Sequence, residues 1–131
     1  MNDELPSVSS FRAFKQEYGD LKVFYPCCGF DDSPSKVFGD VLFFDRSKEA
    51  ISILRNKGLN AVAGEVLDFD YSCDLMILIN PSILADKLVS RFKPRFVICN
   101  NLHGTADELD KSRDYELVKM LGVDTWLFEQ K

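Results

Sequence analysis

Residues 21–45 read LKVFYPCCGFDDSPSKVFGDVLFFD, and two apolar runs in this stretch decide the fold class. The first run covers 21–25 and ends at Pro26, and the second covers 41–44 and ends at Asp45. A strand with one face in water alternates apolar and polar side chains, whereas a strand covered on both faces is apolar along its length. The two runs therefore predict buried strands of a parallel sheet.

Three further runs of this kind follow along the chain: LNAVA at 59–63, LMILI at 75–79 and FVIC at 96–99. Patterns with helical spacing separate these runs from one another. Ser47 is an N-cap candidate for one helix, which Gly58 ends. Another helix is predicted over 82–92, before Pro94.

The two ends of the chain add further elements. Aromatic residues between 11 and 18 predict an amphipathic helix before the first strand. Thr105 begins a capping-box pattern that predicts a helix to about Leu121, and a last short strand is predicted over 125–128. Strands that alternate with crossover helices predict an α/β fold, a doubly wound and mostly parallel Rossmann-like sheet of about five or six strands with helices on both faces.

Length and charge limit the classes of function. With 131 residues the chain has room for one domain, predicted to span 1–131. Its 16 Lys and Arg against 21 Asp and Glu give a net charge of −5, and an acidic domain of this kind is not expected to bind nucleic acid. No apolar run reaches the roughly 18 residues of a membrane-spanning helix, so no membrane segment is expected.

The first residues and the cysteines indicate the compartment. The segment 1–10 is polar and carries Asp3 and Glu4, unlike a signal peptide, so we expect a cytoplasmic protein. Cys27 and Cys28 are adjacent, and no second pair of cysteines lies at the spacing of metal ligands. No metal site is therefore expected.

Polar residues follow the predicted strands, and the carboxyl ends of parallel strands meet at the edge of the sheet where ligands bind in this fold class. Asp45 ends the second strand, roughly 20 residues past the first turn, where an acid accepts hydrogen bonds from the ribose hydroxyls of a nucleoside cofactor. The alternative is an acid placed beside Ser47 for the dipole of the following helix. We prefer the ribose interpretation, with Arg46 as a neighbour at the same site.

The turn after the first strand reads Tyr25-Pro26-Cys27-Cys28-Gly29-Phe30-Asp31, with Pro34 three residues on. It resembles the Tyr-Pro-Gly-x-Gly-x-Asp turn found in branches of the class I S-adenosylmethionine-dependent methyltransferases. Cys27, Gly29 and Asp31 stand at the three glycine positions of the general motif, and only Gly29 is retained. The resemblance covers about residues 20–102, through the order of the motifs, and implies S-adenosylmethionine as the cofactor. Asp31 would repel a pyrophosphate but not the ammonium group of a methionine, which disfavours NAD.

The resemblance also implies a set of cofactor-binding residues. The methionine part of the cofactor would lie against the turn residues Tyr25, Cys27, Gly29 and Asp31. An acid after the third strand would meet the adenine amino group, and Glu65 fits this role better than Asp68. Val66 or Phe69 would supply an apolar wall beside the adenine ring.

Two residues are candidates for catalysis. Asn80 and Pro81 resemble the start of the Asn-Pro-Pro-aromatic motif of amino-group methyltransferases, which would also place Asn80 near the cofactor. Ser82 and Ile83 break that motif, and Asn-Pro is also common in a turn between strand and helix, which is the preferred interpretation. His103 follows the fifth strand and is a candidate general base, although a loop histidine on the surface is the preferred interpretation.

Two kinds of function stay open from the sequence. The first is a compact S-adenosylmethionine-dependent methyltransferase, or a binding protein for this cofactor, of unknown substrate. The second is a catalytically inactive methyltransferase-like module that acts with a partner. The short segment after the fifth strand predicts that the full C-terminal hairpin is missing, so a homodimer or partner protein is expected to complete the substrate pocket. A nicotinamide or flavin domain and a response-receiver domain fit less well, because their motifs are absent.

Overall fold

The computed structural model describes residues 6–131; Asp3 and Glu4, on which the absence of a signal peptide was predicted, lie outside the described residues. The helices are α1 (Pro6–Tyr18), α2 (Lys48–Asn56), α3 (Ala85–Phe92) and α4 (Thr105–Asp110). The strands are β1 (Val23–Pro26), β2 (Val41–Asp45), β3 (Ala61–Ala63), β4 (Leu75–Leu78), β5 (Phe96–Cys99), β6 (Tyr115–Gly122) and β7 (Thr125–Gln130). Short 3-10 helical turns cover Ser33–Lys36 and Val66–Asp68.

The described strands form one sheet in the order β3-β2-β1-β4-β5-β7-β6. β1 to β5 are parallel, and β7 pairs antiparallel with both β5 and β6. The predicted doubly wound, mostly parallel sheet is confirmed, although it has seven strands in the described residues instead of about five or six. The strand order reverses between β1 and β4, and ligands bind at the carboxyl ends of the strands beside such a reversal.

The prediction of a missing C-terminal hairpin is wrong, because β6 and β7 form one. The predicted helix from Thr105 ends at Asp110, and the residues before Leu121 lie in β6 instead. Register shifts between Leu117 and Lys119 and between Met120 and Gly122 mark bulges in β6. Bulges interrupt the alternation of faces along a strand, so the apolar residues of β6 lose the two-residue period that identifies a strand.

Two predicted helix starts also differ from the structure. The residue that precedes α4 is Gly104, in a left-handed conformation with φ of 82°, and the first-turn N–H of Asp107 donates to Asn101 Oδ1 over 3.0 Å. The capping box predicted at Thr105 is therefore not formed. The helix predicted from residue 82 begins at Ala85, because residues 80–84 form a turn after β4. By contrast, Ser47 caps α2 as predicted, and its Oγ accepts a hydrogen bond of 3.2 Å from the Ala50 N–H.

Each face of the sheet carries its own apolar core, which explains the unbroken apolar runs. In β1, Val23 and Tyr25 lie in the core with α1 and α2, and Phe24 lies in the core with α3 and α4. β2, β4 and β5 divide their side chains between the two cores in the same alternating way. No helix within residues 6–131 is long and apolar enough to cross a membrane.

Candidate functional site

A cleft opens at the carboxyl ends of the central strands. Residues at the end of β2 and in the loops after four strands line it: Cys27, Phe44, Asp45, Arg46, Gly64, Glu65, Val66, Ser82 and Ile83. These loops follow β1, β2, β3 and β4 in turn, so the cleft lies beside the reversal of strand order between β1 and β4. The sequence predicts ligand binding at this edge of the sheet. The predicted site residues that line the cleft are Cys27, Asp45, Arg46, Glu65 and Val66.

Asp45 is fixed at the end of β2 by two backbone donors. Its Oδ1 accepts a hydrogen bond of 3.1 Å from the Gly29 N–H, and its Oδ2 accepts one of 2.9 Å from the Ser47 N–H. A carboxylate oxygen has two acceptor sites, so each oxygen keeps one for a further donor. The two interpretations of Asp45 are therefore compatible, because the same carboxylate serves the start of α2 and lines the cleft.

The turn after β1 keeps a glycine-like backbone where glycine is missing. Cys27 has a φ of 57°, in the left-handed region that side chains with a Cβ rarely adopt. Gly29 also has a φ of 57°, and a Cβ added there would meet nothing within 4 Å. Glycine is therefore favoured at position 29 because of the left-handed backbone conformation, and not because a side chain there would clash. The Cys27 Sγ accepts a hydrogen bond of 3.6 Å from the Ser82 Oγ, which joins this turn to the loop after β4.

Tyr25, which is buried, and Asp31, which is half-buried, support the turn. The Tyr25 hydroxyl donates a hydrogen bond of 2.7 Å to Asp31 Oδ2, and the Ser33 N–H donates one of 3.0 Å to Asp31 Oδ1. Tyr25 is buried, and burial followed by the Asp31 charge raises its pKa far above the ordinary value of 10.0. Neither residue lines the cleft, so the structure places Tyr25 and Asp31 behind the turn that they were predicted to serve directly.

The loop after β3 supplies both a carboxylate and an apolar wall. Glu65 is exposed at the cleft and Val66 is buried beneath it. The less favoured alternatives are not among the lining residues: Asp68 is exposed elsewhere, and the Phe69 ring packs against the Phe24 and Phe44 rings with centroid distances of 6.1 and 4.6 Å. The structure thus brings the preferred pair, Glu65 and Val66, to the cleft.

Asn80 lies just outside the cleft in a reciprocal pair with Asn100. The Asn80 N–H donates to Asn100 Oδ1 over 3.2 Å, and the Asn100 Nδ2 donates to Asn80 Oδ1 over 2.9 Å. Asn80 has a φ of 49°, so the residues form a tight turn, and its side-chain amide oxygen already accepts a hydrogen bond from Asn100. This arrangement supports the turn interpretation of Asn80 and Pro81. His103 is exposed on the loop after β5 and does not line the cleft.

Sequence reasoning missed four lining residues, namely Phe44, Gly64, Ser82 and Ile83. In the sequence, Ser82 follows the fourth strand and, with Ile83, breaks the Asn-Pro-Pro-aromatic motif. Phe44 was identified as part of a strand, and its position directly before Asp45 was the available signal that it lies near the site. A Cβ on Gly64 would lie 3.3 Å from the Phe44 ring, so a small residue is needed there.

Charged groups and thiols define the chemistry of the cleft. Asp45 and Glu65 outnumber the single cation, Arg46, among the lining side chains. All four cysteines are free thiols, and burial raises the pKa of Cys28 and Cys73 to about 12. Within residues 6–131 no group of His, Cys, Asp or Glu side chains is arranged to hold a metal ion.

Comparison with known proteins shows the fold. No family model and no curated protein sequence matches the chain. Solved structures match it closely in architecture. Magnesium protoporphyrin IX methyltransferase from Synechocystis PCC 6803, with bound SAM, has a TM-score of 0.72 at 14% identity, over 95% of this chain and 78% of that one.

Two further solved structures are also similar to this chain. A methyltransferase from Geobacter sulfurreducens has a TM-score of 0.68 at 11% identity, over 97% of this chain and 79% of that one. Ribosomal protein L11 methylase from Lactobacillus delbrueckii subsp. bulgaricus has a TM-score of 0.64 at 16% identity, over 100% of this chain and 80% of that one. The chain has the class I methyltransferase-like fold, as the resemblance in its first turn implied.

Proposed function

We propose that this chain, which has the class I methyltransferase-like fold, binds S-adenosylmethionine in the cleft and transfers its methyl group to an acceptor. The position of Asp45 is the observation that carries the proposal. Its carboxylate is held by the Gly29 and Ser47 N–H groups, lines the cleft, and keeps an acceptor site on each oxygen. The two hydroxyls of a ribose are donors that match this carboxylate.

The remaining lining residues fit the other parts of the cofactor. Phe44, Val66 and Ile83 supply apolar surface for a purine ring, and Glu65 supplies an acceptor for its amino group. The turn from Cys27 to Asp31 lies beside Asp45, where the methionine part would follow the ribose. A cofactor that carries a sulfonium and an ammonium group suits a cleft with more carboxylates than cations, whereas a pyrophosphate does not.

Methyl transfer itself places few demands on the protein. A lone pair on the acceptor attacks the methyl carbon, the carbon–sulfur bond breaks, and its electron pair stays on sulfur to give S-adenosylhomocysteine. The acceptor loses a proton to solvent if it carried one. Holding the two reactants in line supplies most of the acceleration in such a step, so a catalytic acid or base is not required.

The hairpin of β6 and β7 bears on the alternative function. A missing hairpin is one of the arguments for an inactive module, and the structure contains the hairpin. The departures at Cys27 and at residues 80–83 remain, but Cys27 has a left-handed backbone conformation that glycine adopts readily. We therefore favour the enzyme. The predicted homodimer or partner stays a prediction.

Calorimetry with S-adenosylmethionine and S-adenosylhomocysteine tests the cofactor site, and transfer of labelled methyl groups to a cell extract tests catalysis. We expect both cofactors to bind with 1:1 stoichiometry and label to enter the extract. An absence of binding heat for both compounds would contradict the proposal. Binding without any transfer would reduce it to the alternative, a cofactor-binding module.

A further inference from the structure

The most exposed large apolar side chains of the described residues lie on loops at one edge of the sheet. Their exposed fractions are 88% for Val123, 69% for Leu102, 60% for Leu84 and 55% for Phe30. They lie on the β6–β7 turn and on the loops after β5, β4 and β1, respectively. β7 is antiparallel to β5, so the β6–β7 turn reaches the same edge as the cleft. Apolar side chains exposed together around a cleft are typical of a binding surface.

Hydrogen bonds hold these loops side by side. The Asn80–Asn100 pair joins the loop after β4 to the loop after β5. The Asn101 N–H donates a hydrogen bond of 2.9 Å to Asp124 Oδ1, which joins the loop after β5 to the β6–β7 turn. Leu84, Leu102 and Val123 therefore lie on adjoining loops that are hydrogen-bonded to one another, and these three loops make up the surface beside the cleft.

This surface is poor in basic residues and contains one histidine, His103. Residues 80–84, 100–104 and 122–125 contain no Lys or Arg. Their one carboxylate, Asp124, accepts from the Asn101 N–H and, over 3.0 Å, from the Trp126 Nε1–H. Nucleic acids and phosphorylated molecules are bound chiefly through Lys, Arg and helix N-termini. An anionic acceptor finds no counter-charge on these loops, and the carboxylates of the cleft lie next to them.

We propose that the methyl acceptor is a small apolar molecule, uncharged or cationic, that packs on Leu84, Leu102 and Val123 beside the cleft. This inference rests on the proposed function and adds the chemical class of its substrate. Apolar burial supplies the binding free energy, at roughly 25 cal/mol per Å² removed from water. The absence of Lys and Arg excludes polyanions from the same surface.

The size of the surface favours a small molecule over a protein partner. Exposed side chains of this number cover on the order of a few hundred Å². A specific protein interface buries about 800 Å² on each partner. A small molecule that lies over the apolar side chains, with its nucleophilic atom toward the cleft, requires no larger contact. The nucleophile then forms the new bond to the methyl carbon as the carbon–sulfur bond of the cofactor breaks.

The test compares serine variants of exposed leucine and valine residues, two beside the cleft and one away from it. Leu102→Ser and Val123→Ser remove apolar surface beside the cleft. Leu117→Ser is the matched control, because Leu117 is 40% exposed and lies in β6 on the side of the sheet where β5 begins, away from the cleft. All three side chains are exposed, so thermal unfolding is expected to be similar in the variants. The probe is Nile red, a neutral apolar dye, titrated with S-adenosylhomocysteine present.

We expect the dye to bind about fivefold more weakly to Leu102→Ser and to Val123→Ser, because each variant loses part of one apolar side chain. We expect the affinity of Leu117→Ser for the dye to be unchanged. With labelled S-adenosylmethionine and a cell extract, we expect label in the low-mass fraction that an apolar resin retains and an anion exchanger does not. Label in RNA, in protein or in an anionic small molecule would overturn the inference, as would equal dye affinity for all variants. Failure of the proposed function shows separately, as no calorimetric binding of S-adenosylhomocysteine.

Discussion

The Gly29 N–H donates a hydrogen bond of 3.1 Å to Asp45 Oδ1 and so fastens the turn after β1 to the end of β2. The cleft therefore has a fixed wall, since one carboxylate sets the distance between two loops that come from neighbouring parallel strands. A bound nucleoside would meet acceptors that are already positioned, which reduces the entropy lost on binding.

Replacement of Asp45 by Asn tests the ribose site. Asn keeps one side-chain acceptor but removes the charge and replaces the second acceptor with a donor, so we expect S-adenosylhomocysteine to bind about tenfold to a hundredfold more weakly. Calorimetry measures the change. Asp68→Asn is the control, because Asp68 is exposed and does not line the cleft. Equal affinities for the two variants would place the nucleoside elsewhere.

Replacement of Cys27 by Gly tests the strain in the first turn. Cys27 has a φ of 57°, and a left-handed conformation costs a residue with a Cβ roughly 1–2 kcal/mol. Because glycine also has more conformational entropy to lose on folding, we expect a net gain of about 1 kcal/mol in the free energy of unfolding. Urea denaturation measures it. Cys27→Ala keeps the Cβ and is expected to show no gain; a gain in both variants would assign the effect to loss of the thiol.

The thiols provide a direct test of where the cofactor lies. Burial raises the pKa of Cys28 and Cys73 to about 12 and that of Cys99 also, so these thiols stay protonated and slow to react near pH 8. Cys27 is half-buried and lines the cleft. We expect iodoacetamide to label Cys27 first, as read by peptide mass spectrometry, and S-adenosylhomocysteine to slow that labelling. Labelling at an unchanged rate with saturating ligand would show that the cofactor does not cover Cys27.

The raised pKa of Tyr25 predicts how the free energy of unfolding changes at alkaline pH. Burial and the Asp31 carboxylate raise its folded-state pKa above the ordinary value of 10.0. The neutral hydroxyl is therefore favoured by folding, so its stabilisation is complete below pH 10 and is lost as the pH rises toward the folded-state pKa. Each pH unit in that window costs about 1.4 kcal/mol for such a group.

Tyr25→Phe is expected to show a shallower loss of stability between pH 9.5 and pH 11, a range chosen to span the ordinary tyrosine pKa of roughly 10. It is also expected to lose about 1 kcal/mol at neutral pH, because Asp31 loses the hydrogen bond from the hydroxyl. Urea unfolding at several pH values gives both quantities. Tyr71→Phe is the comparison, since Tyr71 is only partly buried and its pKa is raised less. A slope that Tyr25→Phe leaves unchanged would show that Tyr25 does not control the alkaline transition.

The predictions that succeeded were those that depend on local pattern. The runs at 41–44 and 75–79 are apolar because both faces of their strands are covered, and this leaves a signal in the sequence itself. Asp45 was identifiable for a related reason, since a polar residue that ends such a run must lie at the edge of the sheet. Ser47 was recognised as a cap because its hydrogen bond reaches only three residues along the chain.

The prediction that failed concerns β6, and the partner of Asn80 was not predicted. β6 is an edge strand, exposed along most of its length and interrupted by bulges, so its strand character comes from pairing with β7 and not from its side chains. Asn80 was assessed against a motif, but its side chain is paired with Asn100, twenty residues away in sequence. Nothing in either local segment indicates that partner.

The sequence by itself determined that this protein is a doubly wound α/β fold with an acid at the end of its second strand, because burial and helix capping act over a few neighbouring residues. Only the tertiary structure decided that the C-terminal hairpin completes the sheet. It also decided that Tyr25 and Asp31 support the first turn from behind, and that Phe44 and Ile83 reach the cleft. These features depend on contacts between loops that are distant along the chain, and such contacts exist only once parallel strands bring those loops to one edge.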